Sequence, residues 1–280
     1  MITLKNLSYR FPSWGVVALD DVTADIPTGI HLLLGENGAG KTTLLHIIAG
    51  LRTAAPTESC TIDGIPTALR DPQLLADTFI FTDEMKFPFP TINEMVQRHA
   101  CFYPSFDYDM LQANLARFGM DGSEALDKFS LGNRKKAQLA YILSLRSRIL
   151  LLDEPANALD ISAKQTLLQM LAQCTDEGQT VIISTHTVWD FQNLFESVIV
   201  LNHGKLVLNK PIWEITERVS FVSDSMPIPN AIYIEPLLGK YLAITPNTGN
   251  TTDVDYTLLY NALQSPSRDN LLNILNSDQQ

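Results

Sequence analysis

The chain has 280 residues, 45% apolar and 18% charged, about two domains at ~150 residues each and enough apolar material for a buried core, which excludes a disordered or fibrous protein. Its 20 basic against 31 acidic side chains give a net charge of −11, which argues against a nucleic-acid binder and against attachment to anionic lipid by charge alone. Cys60, Cys101 and Cys174 form neither a Cys-x-x-Cys nor a Cys/His cluster, so a reduced intracellular setting is expected rather than zinc or disulfides.

Met1 to Lys5 lacks a charged-then-apolar export pattern. No window reaches the ~18 consecutive apolar residues of a membrane-spanning helix, so direct membrane insertion is not expected. Short β segments are predicted at Ile2–Leu7, Val16–Leu19 and Val22–Ile26. The apolar run Ile30–Leu34 then ends at Gly35, and Lys41–Leu51 carries Leu44, Leu45, Ile47, Ile48 and Leu51 at helical spacing. Between them, Gly35-Glu36-Asn37-Gly38-Ala39-Gly40-Lys41-Thr42 matches G-x-x-x-x-G-K-[ST] without a gap. Glycines let successive backbone N–H groups turn inward around a phosphate at the positive end of a helix. Lys41 is then expected at the terminal phosphates, with Thr43 beside it and the Thr42 hydroxyl on Mg²⁺.

A strand at Thr78–Phe81 precedes a helical section over about 84–146. Thr91-Ile92-Asn93-Glu94 has the form of a capping box. Asp107 to Arg117 follows as a helix with Gly119 as its stop, and Ser130 is the N-cap of a helix through Leu145. Ile149–Asp153 is a buried strand ending in Asp153-Glu154; behind a phosphate loop the first carboxylate holds Mg²⁺ and the second deprotonates water. A helix at Ser162–Asp176, a strand at Thr180–Ser184 ending at His186, a short helix near Val188–Leu194 and strands at Ser197–Leu201 and Lys205–Leu208 complete an alternating pattern. Such alternation predicts a mostly parallel sheet flanked by helices. After Pro211 the pattern changes. Residues 216–280 read as a small α+β accessory domain, with β runs at Val219–Val222, Ile232–Ile234 and Tyr241–Ile244 and helices at Tyr256–Leu263 and Asn270–Leu275.

Five ordered motifs over residues 1–215 resemble the nucleotide-binding subunit of an ATP-binding cassette (ABC) transporter: Gly35–Thr42, Phe129-Ser130-Leu131-Gly132-Asn133, Ile149–Glu154, Asn157-Ala158-Leu159-Asp160 and Ile182–His186. The resemblance implies an α/β P-loop NTPase core with an antiparallel β subdomain and an inserted helical subdomain, and ATP with Mg²⁺ as cofactors. Two copies, or this chain and a paralogous cassette, would bind ATP at their interface. The helix start of one copy, Ser130, Leu131, Gly132 and Asn133, would then close on the phosphate loop of the other, and Asp160 would be a further nucleotide-binding residue. Glu154 and His186 would be catalytic. Phe11 would stack on adenine, with Trp14 or Tyr9 as rivals. The family glutamine that follows the Thr78–Phe81 strand and contacts Mg²⁺ is replaced here by Asp83, or by Glu84 in the neighbouring alignment. Leu131 stands where the family has glycine.

A chain without spanning helices resembles a half-system: an ATPase at the inner face of the cell membrane, driving a separate transmembrane permease. Phe102–Asp107 and the appendage reaching Asp255–Leu263 resemble bacterial exporters of the ABC type 2 branch. A cytosolic cassette ATPase serving iron–sulfur cluster assembly is the alternative. DNA-repair and translation cassettes are disfavoured, since the chain has no paired cassette, coiled-coil insertion or zinc cysteines.

Overall fold

The structure, a computed structural model, describes residues 1–13, 15–185, 194–249 and 252–277. From the N-terminus, β1 (Ile2–Arg10), β2 (Val17–Ile26) and β3 (Gly29–Leu34) lead through the glycine loop into α1 (Lys41–Ile48). Then come β4 (Cys60–Ile62), β5 (Ile65–Pro66), α2 (Pro72–Ala76) and β6 (Thr78–Phe81). The helical section holds α3 (Ile92–His99), α4 (Tyr108–Arg117) and α5 (Leu131–Ser144). After it run β7 (Ile149–Asp153), α6 (Ile161–Cys174), β8 (Thr180–Ser184), β9 (Ser197–Asn202) and β10 (Lys205–Pro211). The C-terminal part contains α7 (Ile212–Arg218), β11 (Val219–Asp224), β12 (Tyr233–Leu237), β13 (Lys240–Pro246), α8 (Tyr256–Gln264) and α9 (Arg268–Asn276).

The main sheet has the order β10-β9-β3-β8-β7-β6 and is parallel except for the β9–β10 hairpin. Strands β3, β7 and β8 are buried at every position, which is why they read as unbroken apolar runs rather than as alternating ones. Their two faces feed different cores. Leu33, Leu151, Ile182 and Ile199 pack against α1 and the N-terminal β layer. Leu32, Leu150, Leu152, Ile183 and Val200 face the helical section and α6. The period of two along each strand sorts them.

A second, antiparallel sheet has the order β2-β1-β4-β5. Here the sequence predicts two strands where one exists: Asp20-Asp21 reads as a break, yet β2 continues through it. The ladder is irregular there, with register shifts between Leu7 and Tyr9. Asn6 and Asp21 adopt φ of 47° and 55°. Side chains replace the lost rungs: the Asp21 amide donates to Ser8 Oγ at 3.0 Å, and Asn6 Nδ2 to Asp21 Oδ1 at 2.8 Å. Helix α1 ends three residues before the predicted Leu51. Gly50 at φ 69° turns the chain, and the Leu51 amide reaches back to the His46 carbonyl at 2.8 Å, a Schellman ending.

The predicted caps are present. Thr91 Oγ1 accepts from the Glu94 amide, Asp107 from the Met110 amide and Ser130 Oγ from the Asn133 amide. The predicted helix near Val188–Leu194 lies outside the described residues except for Leu194. Residues 219–246 form a third sheet, β11-β13-β12, and α7 crosses the predicted boundary at 215/216. Ile215, Val219, Phe221, Ile244, Tyr256 and Leu259 join the apolar cluster of the main sheet, with Tyr256 edge-on to Phe195 at 5.8 Å. The appendage has its own sheet but shares its core. Among the described residues, no helix is long and apolar enough to cross a membrane.

Candidate nucleotide site

A fully buried strand, β3, delivers the chain to the glycine loop, and α1 carries it away. The N-cap of α1 is Gly40 at φ 105°, and no side chain caps that helix end. The first-turn N–H groups and the positive end of the helix dipole therefore face the cavity without an internal anion. Gly40 is required sterically, because a Cβ there would stand 2.5 Å from the Ala18 carbonyl oxygen. The turn after β9 pins the loop from below: the Gly204 amide donates to the Ala39 carbonyl at 3.1 Å, and the Asp20 amide to the Gly204 carbonyl at 2.9 Å.

Lys41 is 7% exposed. Its ammonium donates to the carbonyls of Gly35 at 2.6 Å and Glu36 at 3.1 Å. Burial pulls its pKa down, while the carboxylates of Glu154 and Asp153 pull it back up. Thr42 Oγ1 donates to Asp153 Oδ2 at 2.6 Å, so the end of β7 and the start of α1 already touch through two of the three predicted metal ligands. Glu154 follows with φ 51°, its amide held by the Ser184 carbonyl at 2.8 Å. That left-handed backbone turns the chain away from the sheet at the acid itself.

These groups share a cavity of about 420 Å³, within the ~300–1,000 Å³ range of small-molecule sites. Its lining comes from the glycine loop and the start of α1 (Glu36, Asn37, Gly38, Gly40, Lys41, Thr42 and Thr43), from the end of β7 (Asp153 and Glu154), and from Phe11, Val16, Val17 and Ala18 between β1 and the start of β2. Of the three aromatic candidates, Phe11 is in this lining. Tyr9 lies behind it, edge-on at 5.3 Å, and the Arg52 guanidinium sits 5.0 Å from the Phe11 ring centre. Trp14 and His186 lie outside the described residues. The uncapped helix end, the buried cation and the glycine cradle fit a nucleotide triphosphate, and the Thr42 and Asp153 oxygens are hard donors of the kind Mg²⁺ takes.

The remaining predicted residues stand apart from the cavity lining. Ser130, Leu131, Gly132 and Asn133 begin α5, with Leu131 62% exposed. A Cβ on Gly132 would stand 2.8 Å from the Ala158 carbonyl oxygen. Asp160 caps α6 through the Ala163 amide and pairs with Lys136 at 2.8 Å. The hydrogen bond from Lys136 is foremost in holding its carboxyl below the usual range. Asp83 is ion-paired to Lys135 and accepts from Asn157 Nδ2 at 3.3 Å. Burial pushes its carboxyl upward, but Lys135 and Asn157 outweigh that and leave it below the usual value. Glu84 is exposed.

Sequence reasoning missed three things: the Val16–Ala18 lining, Lys135 and Tyr260. The Glu36 amide donates to the Tyr260 hydroxyl at 3.1 Å, so α8 touches the glycine loop from 224 positions away.

A family profile described as ABC transporter matches residues 19–157. An energy-coupling factor transporter ATP-binding protein of Methanothermobacter thermautotrophicus is 33% identical over 224 residues, covering 74% of this chain and 70% of that protein. A ribose import ATP-binding protein of Rubrobacter xylanophilus is 30% identical over 219 residues, covering 74% of this chain but 43% of that protein. The chain thus spans less than half the length of the sugar-import relatives it matches. Among solved structures, the ATP-binding subunit of an ABC transporter superposes with a TM-score of 0.67 at 22% identity, over 77% of this chain and 91% of that one. A dimeric bacterial ABC transporter cassette gives 0.63 at 24% identity, over 75% and 98%. Both likenesses speak to the fold.

Proposed function

The chain belongs to the ABC transporter family, and on that premise we propose that it is the ATP-binding and ATP-hydrolysing subunit of a membrane transporter, acting on a separate transmembrane protein. The carrying observation is the joint cavity, which an uncapped helix end, the Lys41 ammonium, the Thr42–Asp153 contact and the Phe11 ring all line. Phe11 offers an aromatic face for adenine. The amides at the start of α1 and Lys41 hold the phosphates. Thr42 and Asp153 would hold Mg²⁺, which supplies charge neutralisation at the terminal phosphates when bound. Asp83 as a further metal ligand would require it to leave Lys135. Glu154, in the cavity lining, accepts the proton of the water that attacks the terminal phosphate. His186 is assigned its catalytic place by resemblance alone.

Ser130, Leu131, Gly132, Asn133 and Asp160 do not line their own chain's cavity. In this reading they serve the cavity of a second copy, or of a paralogous cassette, once nucleotide brings the two together. The permease partner puts the chain at the inner face of the cell membrane. The two relatives described above are named for import and for energy coupling, whereas the export reading rests on Phe102–Asp107 and the appendage. Substrate flux in vesicles holding the chain and its membrane partner decides direction.

The test of the composite site is Glu154→Gln, which keeps the phosphate cradle and loses the proton acceptor, a step worth ~10²–10⁴ in rate. With ATP and Mg²⁺ this variant should run as a dimer by gel filtration with light scattering, and as a monomer without nucleotide. A monomer in both conditions refutes the composite site.

A further inference from the structure

Lys135 lies five residues into the segment that opens at Ser130, on the first turns of α5, and is 3% exposed. Its ammonium meets three separate parts of the chain. It forms an ion pair with the Asp83 carboxylate, in the loop after β6. It donates to the main-chain carbonyl of Glu154 at 3.0 Å, just past the end of β7. It also stands 5.6 Å from the ring centre of Phe81, the last residue of β6. Asp83 spends its other oxygen on Asn157, three residues beyond Glu154. A lysine this deeply buried persists only when its charge is matched, and here Asp83 matches it.

We propose that Lys135 is a positioning residue for Glu154, with Asp83 as its counter-ion. The pair fixes the backbone of the proton acceptor and ties it to the helical section. Three features carry the argument. Glu154 sits at φ 51°, a conformation a non-glycine residue holds only where its surroundings impose it. The Lys135 bond is made to the carbonyl of that same residue. The acid that follows β6 is already committed to a cation from α5. Any rotation of α5 relative to the main sheet must therefore either carry Asp83 and Glu154 along or break the pair. This couples the placement of Ser130 to the placement of the proton acceptor, through a salt bridge rather than through the nucleotide. The proposal rests on Glu154 acting as the proton acceptor.

The experiment uses the full chain. Steady-state hydrolysis and affinity for a fluorescent ATP analogue are measured for Lys135→Met, Asp83→Asn, the double variant and each combined with Glu154→Gln. Lys135→Met should lower kcat about tenfold or more while leaving analogue affinity within about threefold, the split expected when only the reacting geometry is disturbed. Asp83→Asn strands the buried Lys135 ammonium, whereas Lys135→Met leaves only a half-exposed carboxylate; the double variant leaves no unmatched buried charge, so it should fold even if Asp83→Asn does not, and its kcat should be no worse than that of the worse single variant. In the Glu154→Gln background, Lys135→Met should remove nothing further from the residual rate. Additive losses there would mean Lys135 acts elsewhere and would overturn the proposal, as would an unchanged kcat in folded Lys135→Met. A change in Mg²⁺ requirement confined to Asp83→Asn would put Asp83 on the metal and overturn it too. If Glu154→Gln alone keeps the full rate, the reading of Glu154 fails instead, and the two failures are told apart.

Discussion

Replacing Lys41 with Met removes the ammonium but keeps the buried stem. In the free protein, Lys41 makes two bonds to loop carbonyls at 2.6 and 3.1 Å while 7% exposed. The same burial pulls its pKa down, so desolvation of the cation offsets much of what those bonds contribute. The net effect on stability is expected to be small, a melting shift of about 3 °C or less, since ~1 kcal/mol moves a chain of this size by roughly 2–4 °C. Nucleotide binding differs, because the ammonium exchanges neutral carbonyls for anionic phosphate oxygens. A charge-assisted hydrogen bond contributes about 1.5–3 kcal/mol. Two of them contribute about 3–6 kcal/mol, and after about 2 kcal/mol for the two carbonyl bonds given up roughly 1–4 kcal/mol remains, or ~10–10³ in affinity at about 1.4 kcal/mol per decade. Titration calorimetry with ATP and Mg²⁺ reads the affinity and scanning calorimetry the fold. If Lys41→Met melts like the parent and binds ATP within about threefold of it, Lys41 is not the phosphate cation.

Two further perturbations follow from the loop and from the buried and half-buried histidines. Gly40→Ala places a Cβ 2.5 Å from the Ala18 carbonyl at φ 105°; strain and overpacking should cost about 2–5 kcal/mol, lowering the melting temperature by roughly 5–15 °C, and an unshifted melt would mean the loop is not pinned to β2. Burial pushes His31, His46 and His99 below 6.5, so the unfolded chain binds more protons than the folded one once the pH drops below that value. Stability should therefore hold above about pH 6.5 and decline on acidification by up to ~1.4 kcal/mol per pH unit for each histidine. His31→Gln should flatten that decline, and equal melting temperatures at about pH 5.5 and 7.5 would refute the assignment.

What could be read in advance follows from where each signal resides. Strands β6, β7 and β8 are predicted residue for residue, because burial on both faces leaves no other reading for Ile149–Asp153 or Thr180–Ser184. The glycine loop is legible because its chemistry is contiguous. Lys135 is not: within Arg134-Lys135-Lys136 it looks like one more solvated cation on a helix, and its partner lies 52 positions earlier. Tyr260 carries no local cue at all. Asp20-Asp21 misleads in the opposite sense, since a polar pair in mid-strand resembles a turn until Ser8 and Asn6 are seen to complete the ladder. The resemblance supplied the identity of Asp83 as the position to watch, while packing supplied its partner.

The junction between the main sheet and the appendage has no linker. Strand β10 stops at Pro211 and α7 starts at Ile212; α7 stops at Arg218 and β11 starts at Val219. What stiffens the joint is its packing, since Ile215, Val219 and Phe221 are buried in the same apolar cluster as the central sheet, and a packed joint resists a change of angle. The C-terminal sheet is thus geared to the central one like a pointer to its dial: any turn of the core sweeps Leu237 and Leu238, out at the tip of the β12–β13 hairpin, through a proportionate arc.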